Sequence, residues 1–149
     1  MPATDQFEND LLALLFHNAA GAINIGDATG LGASTTAGSA RLSLHTVAPT
    51  DTSTSALTNE GTYTGYVRPT VARSTGGWTL SGTTQVANAA LISFGEMTAG
   101  GPVTEVAVGI CLMATGDYLQ LYGSLTSNLV VNNGVNPQFA VGALVVTLT

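Results

Sequence analysis

Residues Val103 to Met113 constrain the fold of this chain more than any other stretch. Val106, Val108, Ile110 and Leu112 alternate with Ala107, Gly109, Cys111 and Met113. A period of two is that of a β-strand, and here both faces are apolar or small. Such a strand belongs in the middle of a sheet, covered on both sides. It cannot stand alone, so the rest of the chain has to supply its neighbours.

Candidates for those neighbours follow the same period. Leu42 and Leu44 alternate with Arg41, Ser43 and His45, as in a half-buried strand with His45 on the solvent face. After a polar loop at 47–62, strand signals resume at Tyr63 to Ala72, where Pro69 argues for an edge or a bulge. Gly76 and Gly77 mark a turn before Trp78 and Leu80, and residues 84–94 make another strand. Tyr118 to Leu125 follows the Gly116-Asp117 turn and closes a hairpin on the central strand. Leu129 to Asn132 is short and runs into an Asn133-Gly134 turn, where both residues tolerate positive φ. Ala143 to Thr149 ends the set.

Only residues 5–17 break this rhythm. Phe7, Leu11, Leu14 and Leu15 recur at helical spacing, with Asp5 or Thr4 as the N-cap and Glu8 in the first turn. His17 falls at the C-terminal end, where it suits the helix dipole, and Gly21 lies just beyond. Residues 18–40 are rich in Gly, Ala, Ser and Thr and too long for an ordinary connection, which reads either as an arm that orders on contact with a partner, the preferred reading, or as a flexible loop. The expectation is a mainly β chain: a single domain over 1–149, an antiparallel β-sandwich of about seven to nine strands over 41–149, and one short N-terminal α-helix.

Charge narrows the function. Charged residues make up 8% of the chain, against about 25% in a typical soluble domain. There is no lysine, and the cations are Arg41, Arg68 and Arg73. Phosphate backbones and anionic membranes are bound by clusters of such residues, so neither nucleic acid nor a membrane surface is an expected partner. A surface this poor in charge fits a protein whose neighbours cover it in an assembly. The N-terminus carries acidic residues where a signal peptide has basic ones, and no apolar run is long enough to span a bilayer, so synthesis in the cytoplasm is expected.

Catalytic patterns are missing. The single cysteine, Cys111, sits in an apolar run and reads as a small buried hydrophobe. His17 and His45 are far apart and have no ligand-like neighbours, so no metal or other cofactor is expected. No nucleophile elbow or phosphate loop is present. Glu96 and Glu105 flank the Gly100–Pro102 turn and read as solvated rim charges, while Asp51 and Asp117 read as turn residues bonded to their own backbone. No enzyme activity and no small-molecule substrate are expected.

The order of motifs resembles a family of small structural proteins of tailed-phage particles, often labelled tail fibre proteins. The resemblance starts with Asp5-Gln6-Phe7-Glu8-Asn9-Asp10-Leu11-Leu12, then Leu42-Ser43-Leu44-His45-Thr46 and Ala48-Pro49-Thr50-Asp51. It continues through Gly65-Tyr66-Val67-Arg68, Asn88-Ala89-Ala90, Thr104-Glu105-Val106-Ala107-Val108-Gly109 and Tyr122-Gly123-Ser124-Leu125. Phe139 to Leu148 is its most characteristic part. Two departures are the long 18–40 segment and Cys111, where the family often has an aromatic. The resemblance implies a non-enzymatic virion protein with no catalytic residues. The role expected first is capsid decoration, in which a homotrimer cements the major capsid protein lattice at the capsid surface. The alternative is a tail or tail-fibre component. Ile23, Ile25, Leu31, Val145 and Leu148 are the candidate interface residues.

Overall fold

The computed structural model describes residues 3–19, 33, 35–112 and 117–148. The elements are α1 (Asp5–Leu12), a wider helical turn over Ala13–His17, and strands β1 (Ser39–His45), β2 (Thr70–Ala72), β3 (Trp78–Ser81), β4 (Gln85–Asn88), β5 (Ile92–Ser93), β6 (Val103–Cys111), β7 (Leu121–Val131), β8 (Gln138–Phe139) and β9 (Val145–Thr147). The fold class expected from the sequence holds: mainly β, with antiparallel sheets and one short N-terminal helix. The chain forms two compact units, each drawn from separate segments. Unit 1 takes Met1–Ser39, Val71–Ile92 and Phe139–Thr149, and unit 2 takes Ala40–Thr70 and Ser93–Gln138.

Unit 1 packs the helix with the sheet β3-β4-β9. Thr4, not Asp5, caps α1, because its hydroxyl accepts from Phe7 N–H. Leu12 and Phe16 are fully buried. The helix ends at Asn18, whose φ of 53° is the left-handed conformation that asparagine tolerates, and its N–H returns to Ala13 O. The helical stretch therefore ends at His17, where the sequence pattern ends it; Gly21 lies outside the described residues. Arg73 reaches the open helix end: its guanidinium donates to Leu15 O (2.5 Å) and Leu14 O (2.7 Å), and to Ala37 O (3.0 Å). A cation there complements the negative end of the helix dipole. His17 instead donates Nε2–H to Trp78 O at 2.9 Å, and Trp78 meets Phe16 edge to face at 4.7 Å.

Asn88 secures the C-terminal segment of unit 1. It is buried, its amide donates to Ala90 O and Ala140 O, and its carbonyl accepts from Leu144 N–H. The contact with Ala90 also bends the chain, so the strand expected over 84–94 becomes β4 and β5 with a break at 89–91.

Unit 2 is built on β6. It pairs antiparallel with β1, from Arg41↔Cys111 to His45↔Ala107, and with β7, from Val103↔Val131 to Ile110↔Leu121. Ala107 to Cys111 are all buried, so β6 is central and covered on both faces, as its sequence pattern requires. β1 differs from expectation: Leu42 to His45 are buried on both faces. β7 runs unbroken through the two stretches read as separate strands. Its residues 125–128 bow out opposite Val106, and that irregularity interrupts the alternation. Cys111 packs with Ala56 and Leu119, and Tyr63, Met97 and Val131 form a second core cluster.

Candidate functional site

The polar side chains of unit 2 converge on a buried ionic cluster. Glu60 lies at the end of the polar loop, its backbone bridged to His45 at the end of β1. Its carboxylate accepts two bonds from one guanidinium, Arg68 Nε at 2.5 Å and Arg68 Nη2 at 2.5 Å. The planar fork of arginine is made for this bidentate geometry. Tyr66 adds a third donor at 2.7 Å, and its oxygen accepts from Leu44 N–H at 3.1 Å. Arg68 Nη1 donates to Asp117, and Arg41 stands 3.8 Å from the same carboxylate. Asp117 is therefore an ion-pair partner, not the self-bonded turn residue expected from its position. The two arginines that look scattered along the chain meet here.

Burial pushes Tyr66 well above its ordinary range, and the Glu60 carboxylate holds Arg68 firmly protonated. The Gly65-Tyr66-Val67-Arg68 motif thus builds this cluster. Gly65 has a φ of +99°, and a Cβ there would overlap Glu96 O, so the bend that turns Tyr66 and Arg68 toward Glu60 needs glycine.

His45 and Glu105 correct two expectations. His45 is fully buried, not solvent-facing. Its Nδ1–H donates to Thr58 O at 3.1 Å, which in the neutral ring leaves Nε2, 2.8 Å from Ser43 Oγ, to accept from that hydroxyl. Burial lowers its pKa. The space comes from Gly109, where a Cβ would lie 2.7 Å from the imidazole. Glu105 is also fully buried, and neither of its oxygens has a hydrogen-bond partner among the described residues. Burial, and then the nearby charge of Glu60, pushes it up to about 7. Glu96 is exposed, as expected of a rim carboxylate.

Among the described residues, no three His, Cys, Asp or Glu side chains are grouped so as to hold a metal ion. The cluster's donors and acceptors bond to one another, so its chemistry is that of a fastening between the 58–61 turn, the 63–68 segment and Asp117.

The candidate interface residues separate into two groups. Ile23, Ile25 and Leu31, with most of the 18–40 segment, lie outside the described residues. Val145, on β9, is 48% exposed, while Leu148 is half-buried and its N–H bonds Thr84 O at 3.0 Å. β9 lies at the edge of its sheet. The sequence pattern missed further exposed apolar residues. In unit 1 these are Leu91 and Val141, which follow the two alanines whose carbonyls share the Asn88 amide. Unit 2 exposes Val47, Leu57, Val67, Tyr118, Tyr122 and Val130. Most fall in loops, where no periodicity marks them.

A mainly β chain with its arginines tied up within the fold and apolar side chains left outside has the makings of a structural subunit. The chain belongs to the family described as podophage GP4 fiber I protein gp80, whose model matches residues 2–147. It is therefore a structural protein of the tailed-phage particle, and no helix among the described residues is long and apolar enough to cross a membrane. No curated protein matches it.

Proposed function

We propose that this chain is a non-enzymatic subunit of the phage tail fibre, which assembles with copies of itself and neighbouring fibre proteins through uncharged β surfaces. The family match over residues 2–147, with its fibre description, carries this reading. Composition supports it, since exposed apolar side chains such as Leu91, Val141 and Val145 on a charge-poor chain favour burial against a neighbour. The capsid-decoration role on the major capsid lattice draws on the same composition, but the family description favours the fibre. Arg41, Arg68 and Arg73 are all engaged within the fold, which leaves little to attract nucleic acid.

Cryo-electron imaging of particles assembled without this chain tests the proposal. Particles with intact heads and missing or shortened fibres are expected. Intact fibres on heads that lack surface protrusions would replace the fibre reading with capsid decoration.

A further inference from the structure

The ionic cluster of unit 2 leaves the Glu105 carboxyl out. Glu105 stands at the register shift of β6, fully buried, with both oxygens unbonded to any described residue. Gly61 closes over it so tightly that a Cβ at that position would overlap the carboxylate. The turn that carries Gly61 is fastened to the end of β1 by a few bonds: Gly61 N–H to Leu44 O (3.0 Å), Thr46 N–H to Asn59 O (2.9 Å) and Thr46 Oγ1 to Asn59 O (3.1 Å). Next to it, Glu60 is clamped by Arg68. The turn is thus held to β1 on one side and rests on a carboxyl on the other.

A neutral acid tolerates that place. An ionised carboxylate without donors does not, and has to gain water. The wall it touches has no side chain and belongs to the turn. We propose that Glu105 is a proton-controlled wedge: protonated, it lets residues 58–61 close onto the end of β1; ionised, it drives that turn away and admits water.

The groups around it define the response. Glu60 and Tyr63 are the ionisable groups whose charges bear on Glu105. β7 pairs Leu129 with it, and His45 at the end of β1 has both ring nitrogens engaged with Ser43 and Thr58. Arg68 is committed to Glu60 and Asp117, and among the described residues no cation pairs with Glu105. Burial and Glu60 together set the changeover near pH 7. Burial lowers His45, the opposite direction from Glu105.

Hydrogen exchange of the full chain, read residue by residue by NMR, tests the wedge. Between about pH 6 and about pH 8, protection factors of the Gly61 and Thr46 amides are expected to fall roughly tenfold or more, while in Glu105→Gln they stay within about twofold. Trp78 emission, a probe of unit 1, stays constant in both. A direct carbon-detected titration of the Glu105 carboxyl in the native chain, which needs no variant, is expected to coincide with the loss of protection. PH-independent protection in the native chain overturns the proposal. So does an equal loss in Glu105→Gln, or a carboxyl that keeps one charge state across the range.

Discussion

Folding takes the Glu105 carboxyl from an ordinary value of 4.5 to about 7, because burial and the charge of Glu60 both disfavour its anion. The unfolded chain then releases its proton earlier than the folded one. Stability from this residue is full below pH 4.5, declines as pH rises to 7, and is flat above that. The difference is ~3 kcal/mol at ~1.4 kcal/mol per unit. Urea midpoints at about pH 5 and about pH 8 should differ in the native chain and draw together in Glu105→Gln. At the helix end, Arg73→Met removes the donors to Leu14 O and Leu15 O and is expected to cost about 2 kcal/mol, read as an earlier loss of Trp78 emission. Neither residue was legible from its own surroundings in sequence. Glu105 follows a Gly-Gly-Pro turn and looks like a rim charge, and only the closure of Gly61 from a distant loop buries it. His45 escaped for the same reason, since Gly109 on the partner strand makes its space. Cys111 was readable because its own run is apolar throughout.

Single side chains also hold whole segments together. Arg68→Met is expected to leave Glu60 buried and unpaired and to cost about 3–5 kcal/mol, whereas Arg68→Met combined with Glu60→Leu should recover much of it. Chemical denaturation of the three variants checks both statements. Asn88→Ala removes the tie to Ala140 and Leu144, and should cost about 2 kcal/mol and raise amide exchange at Leu144 and Gly142 before any change at β6. Element by element, β6 and α1 were legible because each carries a full period of its own signal. β7 was split by its bulge, and β4 was overextended because the Asn88 bend depends on carbonyls from residue 90 and residue 140. Of the candidate interface, Val145 could be read from an apolar strand end; the loop residues Leu57, Val67 and Val141 could not, since a loop has no face to predict.

The two units exchange chain four times, at 39/40, 70/71, 92/93 and 138/139. If unit 1 melted first, the 22 residues 71–92 would become a free loop that unit 2 has to close. For a loop of that length, closure costs about 3 kcal/mol. The units are therefore expected to unfold together. Emission from Trp78 in unit 1 and accessibility of the buried Cys111 thiol in unit 2 to a thiol reagent should give coincident thermal midpoints. The same interleaving orders events during synthesis. Unit 2 is complete once residue 138 has left the ribosome, while unit 1 still waits for Phe139–Thr149 to bring β9 to β4 and Leu144 to Asn88. Until then the edge of β4 that pairs with β9 stays open and buried Asn88 lacks its partners at Ala140 and Leu144. A translational pause just before residue 139 would prolong the exposure of a sticky half-built sheet, and residues 139–149 act as the closing stitch of unit 1.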